Sequence, residues 1–303
     1  MKVLITGGAG FIGHNLALYL LNRGWEVIVY DSLERSSKRA IEKIRSAGIL
    51  LVSQESKLKT ILGEVDVVVH AAAYISVEES IGYPEKYLIN NSVFTYTLCK
   101  YISELSNQPH LVYISTAAVY GKPQQKVVTE DHPVEPLSPY GLSKLLGEYG
   151  VDYFIKVHNL RATILRLFNV YGFGQTGTYA GVITKFVERV HEKQPPLIYG
   201  DGKQTRDFIH VKDVCEAIRC AITKKVNGTF NVSSGKETSV QELARMILKL
   251  EDLKVEPIYV AAKQGDIIHS VGDPGKIKKA LGFETHMDLM DGLGRLLLEE
   301  KNT

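Results

Sequence analysis

Cysteine is scarce: the 303 residues hold three, Cys99, Cys215 and Cys220. An odd number without paired spacing supplies neither a disulfide framework nor a zinc site, so the three read as small buried apolar residues in a reducing compartment. Net charge is nearly absent too. Lys and Arg number 36 against 34 Asp and Glu, leaving +2, and no basic block carries interleaved aromatics. That excludes nucleic acid as a bulk partner and leaves open a local basic pocket for a phosphorylated ligand. No apolar run is long enough to span a bilayer. The first residues pass from Lys2-Val3-Leu4-Ile5-Thr6 straight into glycines, without the apolar stretch and cleavage site of a signal peptide. The expectation is a cytoplasmic protein with no membrane partner. Core-forming residues, by contrast, are plentiful: 45% hydrophobic against 23% charged excludes disorder. The length suits two lobes better than one compact core.

The first half alternates short β-branched runs with helical stretches. Val3 to Thr6, Val27 to Tyr30, Leu50 to Ser53, Val65 to His70 and Leu111 to Ser115 are predicted strands, nearly continuous in apolar residues as parallel strands buried on both faces are. Phe11 to Arg23, closed by Gly24, Pro84 to Leu105, opened by a proline, and Tyr140 to His158 are predicted helices. Such alternation implies βαβ units and an α/β, doubly wound parallel (Rossmann) sheet. Past Gly172 the elements shorten, with turns at Gly200-Asp201-Gly202, Ser234-Gly235 and Asp273-Pro274-Gly275. The division predicted is a dinucleotide-binding domain over 1–171 and a smaller mixed α/β substrate lobe over 172–303. Residues 207–236 (Asp207 to Val211, then a helix over Val214 to Thr223) are expected to return to the first sheet.

The first strand ends in Thr6-Gly7-Gly8-Ala9-Gly10-Phe11-Ile12-Gly13 and a helix begins at once. Gly7 permits the tight turn, Gly10 lets backbone approach a pyrophosphate, and Gly13 lets the helix pack close to the strand. The helix N-terminus offers free N–H groups and a positive dipole end to the phosphates. The second strand ends at Asp31, where a carboxylate binds the adenosine ribose of NAD and repels a 2′-phosphate. Arg35, Lys38 and Arg39 follow and are read as a solvated face; cations there soften the preference for NAD over NADP. Further on, Pro139-Tyr140-Gly141-Leu142-Ser143-Lys144 opens a helix with Tyr140 and Lys144 on one face. A phenol is a poor base at neutral pH. A neighbouring ammonium, together with a positive nicotinamide ring, is expected to lower its pKa so that it can take a proton from a sugar hydroxyl. Spacing alone is also met by ordinary exposed pairs.

With Tyr113-Ile114-Ser115-Thr116-Ala117-Ala118-Val119-Tyr120-Gly121 added, the sequence resembles the extended short-chain dehydrogenase/reductase family and, within it, the UDP-galactose 4-epimerase branch. The resemblance runs through nearly the whole chain: the glycine loop, His70-Ala71-Ala72-Ala73, Asn91, Thr116, Tyr140 and Lys144. It continues with Leu165-Arg166-Leu167-Phe168-Asn169-Val170-Tyr171-Gly172, then Gly200-Asp201-Gly202-Lys203-Gln204-Thr205-Arg206-Asp207-Phe208, and Gly265-Asp266. It implies Tyr140, Lys144 and Thr116 as catalytic, Thr116 binding the reacting hydroxyl. Around NAD it implies Gly7, Gly10, Phe11, Ile12, Gly13, Asp31, Ser32, Ala71, Ala72, Ala73, Asn91 and Phe168, besides Tyr140 and Lys144. On the substrate it implies Thr116, Asn169, Gly181, Val182, Leu197, Tyr199, Arg206, Lys263, Asp266 and Ser270. Arg206 would clamp the diphosphate and Tyr199 would stack on the base. No metal is implied.

Departures from the family pattern carry information. Its dehydratases have an Asp–Glu pair directly after the Thr; here stand Ala117 and Ala118. A second phosphate-binding Arg is replaced by Lys263, which keeps charge and loses the planar fork. Ser32 replaces a common Asn, and Val52-Ser53-Gln54-Glu55 offers no assignable adenine contact. Ser270, at a position that limits sugar size, is small enough to admit N-acetylated sugars. The activity implied is 4-epimerisation of UDP-galactose and UDP-glucose through a transient 4-keto sugar, with NAD retained. The alternatives are an NAD-dependent nucleotide-sugar reductase or dehydrogenase and a non-enzymatic cofactor-binding protein of the same fold. The helices Pro84 to Leu105 and Tyr140 to His158 hold more apolar and aromatic residues than one buried stripe requires (Tyr87, Val93, Tyr96, Leu145, Leu146, Tyr149, Tyr153, Phe154). Because family members pair these two helices, a homodimer is expected.

Overall fold

The structure is a computed structural model that describes residues 1–175, 181–262 and 267–301. Seven parallel strands form its central sheet: β1 (Lys2–Thr6), β2 (Glu26–Tyr30), β3 (Leu50–Val52), β4 (Val67–His70), β5 (His110–Thr116), β6 (Ala162–Leu167) and β7 (Gly228–Val232). Their spatial order is 3-2-1-4-5-6-7. The chain winds outward from β1 to β3, then crosses back to lay β4 on the other side of β1. The carboxyl ends of β1 and β4 therefore diverge into a crevice, the place where open α/β sheets bind ligands.

Alternate residues of each strand feed two cores. Val3, Ile5, Val27, Val29, Val67, Val69, Val112, Ile114 and Leu165 meet the helices Phe11–Leu21, Lys38–Ser46 and Val211–Lys224 on one face. Leu4, Ile28, Val68, Leu111, Tyr113 and Ile164 meet Glu55–Leu62, Phe94–Ser103 and Pro139–His158 on the other. Burial on both faces is why these strands read as continuous apolar runs, each fully buried aliphatic contributing about 1.5–3 kcal/mol.

The smaller lobe gathers the helices Val182–His191, Val240–Leu250 and Leu289–Lys301 around a third core that includes Phe186, Ile198, Leu243 and Leu296. Its strands come as short pairs. Phe208–His210 joins Asn169–Tyr171 outside the central sheet, so the segment expected to re-enter that sheet does so only at β7, beside β6. Ile277, Leu281 and Phe283 also pack into the large core, although they lie in the chain's last third.

The helix expected over Pro84 to Leu105 runs on from Pro84–Tyr87 through a π-helical turn, Leu88–Val93, into Phe94–Ser103. Within that turn the Asn91 carbonyl oxygen accepts the Thr95 hydroxyl at 2.5 Å, and the Asn91 side chain turns inward to partners on two other segments. Wide turns of this kind recur at functional sites. Of the apolar residues noted on these helices, Tyr87, Leu145 and Phe154 are buried, while Val93, Tyr96, Leu146, Tyr149 and Tyr153 are exposed.

Candidate active site

The crevice between β1 and β4 holds a cavity of about 360 Å³. Gly7, Gly10, Phe11, Ile12, Gly13, Asp31, Ser32, Ala71, Ala72 and Ala73 all line it. Gly7 turns at φ +67°, and a Cβ there would lie 2.5 Å from the Ala72 backbone, so the turn after β1 presses directly on the turn after β4. At Gly13 a Cβ would meet the Gly7 carbonyl oxygen at 2.2 Å, which locks the helix N-terminus against the glycine turn. No side chain caps that helix at Gly10 and no acidic residue sits in its first turn, leaving its N–H groups and positive dipole end for an anion.

Asp31 closes the far end of the cavity. Its Oδ2 accepts the Ala9 N–H at 2.9 Å; its Oδ1 accepts the Leu33 N–H at 2.8 Å and the Ser36 hydroxyl at 2.9 Å. A carboxylate offers about four lone-pair sites, so acceptor capacity remains for a ribose hydroxyl. Arg35, Ser36, Ser37, Tyr74, Ile75, Asn90 and Gln175 also line the cavity. Their lining role came from loop geometry, for which the sequence carried no motif. Asn91 stands behind the wall. Its amide donates to the Tyr74 carbonyl and the Ser143 hydroxyl, both at 2.9 Å, while its Oδ1 accepts the Tyr74 N–H at 2.8 Å. It positions the loop that frames the cavity and is absent from the lining. Phe168 packs in a small core with Val119, Tyr120, Val128 and Leu145, against the helix that carries Tyr140 and Lys144.

Thr116 ends β5, and its hydroxyl accepts the Ala118 N–H at 3.2 Å, starting the 3₁₀ turn Ala117–Tyr120. Ser138 caps the helix Pro139–His158 by accepting the Gly141 N–H at 3.1 Å, with Pro139 at its first position. Close approach seats this helix: a Cβ at Gly141 would lie 2.8 Å from the Ala118 carbonyl oxygen, and one at Gly147 would meet the Tyr113 hydroxyl at 2.2 Å. Tyr140 is thereby brought to Thr116. Lys144 is 2% exposed and its Nζ lies 4.3 Å from the centre of the Tyr113 ring. That ammonium has no hydrogen-bond partner among the described residues. All three lie beyond the lining of the cavity; the connection runs through Tyr74, Tyr87 and Tyr140, whose rings stack edge-on in series.

Burial raises the Tyr140 phenol above its ordinary value, and interaction with Thr116 offsets this in part. Burial pushes Lys144 down to about 7, against an upward pull from Glu148. Desolvation thus disfavours the charged form of each group. His70, buried between Thr6 and Thr95, is pushed down to about 3 by desolvation and by Lys144. The Thr95 hydroxyl is spent on the Asn91 carbonyl, so His70 Nε2–H donates to Thr95 and Nδ1 accepts from Thr6, at 2.9 and 2.7 Å.

On the other side, Asn169 donates to the Asp207 carbonyl oxygen at 3.0 Å. Arg206 is half-buried, its Nη1 held by the carbonyl oxygens of Thr205 and Ile267 at 2.8 and 2.6 Å. Gly181 caps the helix Val182–His191, Leu197 and Tyr199 bound one short strand, and Ser270 accepts the Asp207 N–H at 2.9 Å. Lys263 and Asp266 lie outside the described residues. Asp207 went unassigned at the level of sequence. Fully buried, its carboxylate accepts the Ser234 N–H and hydroxyl at 2.7 Å, Gly235 N–H at 2.9 Å and Gly272 N–H at 3.2 Å. It ties three loops together beside Arg206. Behind the Tyr140 helix, Arg166 and Glu148 form a buried ion pair at 2.6 Å, also without a prior role.

The cavity, the uncapped helix N-terminus and the unspent acceptor on Asp31 together fit a dinucleotide. Comparison with known proteins agrees. The NAD dependent epimerase/dehydratase family pattern matches residues 3–233. A putative UDP-glucose 4-epimerase of Methanocaldococcus jannaschii is 36% identical over 304 residues, covering 99% of this chain and 98% of its own. A UDP-N-acetylglucosamine 4-epimerase of Methanobrevibacter ruminantium, solved with UDP-N-acetylmuramic acid, superposes with a TM-score of 0.94 at 28% identity over 99% of this chain and 98% of its own. A UDP-glucuronic acid 4-epimerase of Bacillus cereus, solved with UDP-glucuronic acid and NAD, gives 0.91 at 29% identity over 100% and 99%. The chain belongs to the NAD dependent epimerase/dehydratase family, and its cofactor is NAD.

Proposed function

We propose that this enzyme is a nucleotide-sugar 4-epimerase interconverting UDP-galactose and UDP-glucose. The observation that carries the reading is a single proton-transfer group facing an unreactive wall. Tyr140 stands against Thr116, and the turn that follows is Ala117-Ala118, which has no carboxylate pair for removing water. Bound NAD supplies the hydride acceptor and donor at the sugar C4. Tyr140 would take the C4 hydroxyl proton and later return it, Thr116 would fix that hydroxyl, and Lys144 would bind the cofactor's ribose and support charge on the phenol. Gly7 to Gly13 would hold the pyrophosphate and Asp31 the adenosine ribose. Asn169, Gly181, Val182, Leu197, Tyr199, Arg206 and Ser270, with Lys263 and Asp266, would hold the nucleotide and sugar. Nothing is oxidised or reduced overall, so the cofactor stays bound.

Incubation with UDP-galactose and no added cofactor tests this: chromatography is expected to show an approach to an equilibrium mixture with UDP-glucose. A reductase or dehydrogenase would instead change bulk NADH. The small side chain of Ser270 supports N-acetylated substrates as well, an extension that fails if UDP-N-acetylglucosamine is not turned over where UDP-galactose is. The exposed Val93, Tyr96, Leu146, Tyr149 and Tyr153 form the face through which a homodimer would pair. Light scattering at micromolar concentration is expected to give twice the chain mass. Three free, buried cysteines suit a reducing cytoplasm, and no helix among the described residues is long and apolar enough to cross a membrane.

A further inference from the structure

The geometry points to Glu79 as a residue that sets the preference for NAD over NADP, by holding the Arg35 guanidinium on the far lip of the cofactor cavity. One lip is the loop after β2, with Asp31, Ser32, Arg35 and Ser36; the other is the segment after β4, with Ala71 to Ile75. Asp31 marks the ribose end. Arg35, four residues later, is the kind of group a 2′-phosphate seeks, because its planar fork matches phosphate oxygens two at a time.

That fork is given to a carboxylate. Arg35 Nη1 meets Glu79 Oε2 at 2.6 Å and Nη2 meets Oε1 at 2.8 Å, a parallel bidentate pair across the lips. Each partner is fixed from its own side. The guanidinium lies 3.6 Å from the centre of the Tyr74 ring, which itself lines the cavity. Glu79 accepts the hydroxyl of the fully buried Tyr87 at 2.8 Å, and its N–H is held by the Ser76 cap at 3.0 Å. Hydrogen bonds from Arg35 hold the Glu79 carboxyl below its ordinary pKa.

Two consequences meet at the ribose. The positive charge closest in sequence to Asp31 is neutralised where it stands, and Asp31 is left unopposed to repel a 2′-phosphate. The cavity also carries Glu55, and Glu34 accepts the Tyr74 hydroxyl at 2.7 Å, so a phosphate would meet carboxylates besides Asp31. Selectivity thus has an attractive half, Asp31 on the hydroxyls, and a withheld half, Arg35 bound to Glu79.

The test is competitive loading. Purified wild type, Glu79→Ala, Glu79→Gln, Arg35→Ala and the Glu79→Ala/Arg35→Ala double variant are incubated with excess equimolar NAD and NADP. Exchange is followed to completion with labelled NAD. Cofactor is then released by denaturation and separated by chromatography. Glu79→Ala is expected to raise the bound NADP-to-NAD ratio about tenfold, the worth of one regained charge-assisted contact to a phosphate. The gain should shrink with added salt and vanish in the double variant. Glu79→Gln keeps an acceptor for Tyr87 and loses the charge, so it guards against misfolding of the alanine variant and is expected to give a smaller gain of the same sign. An unchanged ratio in both Glu79 variants, or a gain that survives loss of Arg35, overturns the assignment.

Discussion

Replacing Lys144 by Met exchanges a buried ammonium for an unbranched apolar chain of similar length. An ordinary lysine titrates near 10.5, and burial brings Lys144 down to about 7. A base depressed in the folded state costs stability wherever the unfolded chain still holds the proton: the penalty is full below about pH 7 and fades as pH rises toward 10.5. Across pH 7 to 9 the unfolded chain keeps nearly a whole proton that the folded site releases, so stability rises by roughly 2 kcal/mol from this group alone. Other groups titrate in the same window, and the difference between wild type and variant removes them. Urea unfolding of cofactor-free protein at pH 7 and pH 9 is the assay. Lys144→Met is expected to be the more stable at pH 7, with its advantage shrinking by about 2 kcal/mol at pH 9, and to have lost turnover. A difference that is the same at both pH values would refute the argument that Lys144 is desolvated and half-neutral in the fold.

Two further substitutions probe the site. Tyr140→Phe is expected to lower turnover by at least about a hundredfold, the usual worth of a positioned proton-transfer group, while NAD measured in the purified protein by chromatography is unchanged. Gly13→Ala sets a Cβ 2.2 Å from the Gly7 carbonyl oxygen; thermal unfolding should show a loss of about 1–3 kcal/mol, with copurified NAD reduced.

The order of strand and helix through the first half, the glycine turn, Asp31 and the Tyr140–Lys144 face were legible because each follows from local chemistry: continuous apolar runs, glycines at forced positions and helical spacing. Less was legible where contacts join distant segments. Nothing local marks the inward contacts of Asn91, since its partners Tyr74 and Ser143 lie 17 and 52 residues away. Asp207 was visible only as part of a motif, because its partners Ser234, Gly235 and Gly272 come later in the chain. Helical spacing put Lys144 and Tyr140 on one face, but spacing carries no information on burial, and burial shifts both groups. Phe168 reads as a cofactor neighbour by resemblance alone, and its packing against Leu145, next to Lys144, has no local mark either.

The central claim is that C4 is oxidised and reduced within one closed site. It is tested most directly by following UDP-galactose in deuterium oxide by proton NMR, with no cofactor added. The account predicts UDP-glucose whose C4 retains its original proton, because the hydrogen leaves and returns without reaching solvent. Deuterium at C4 of the product, or no conversion even after NAD is supplied, would contradict it.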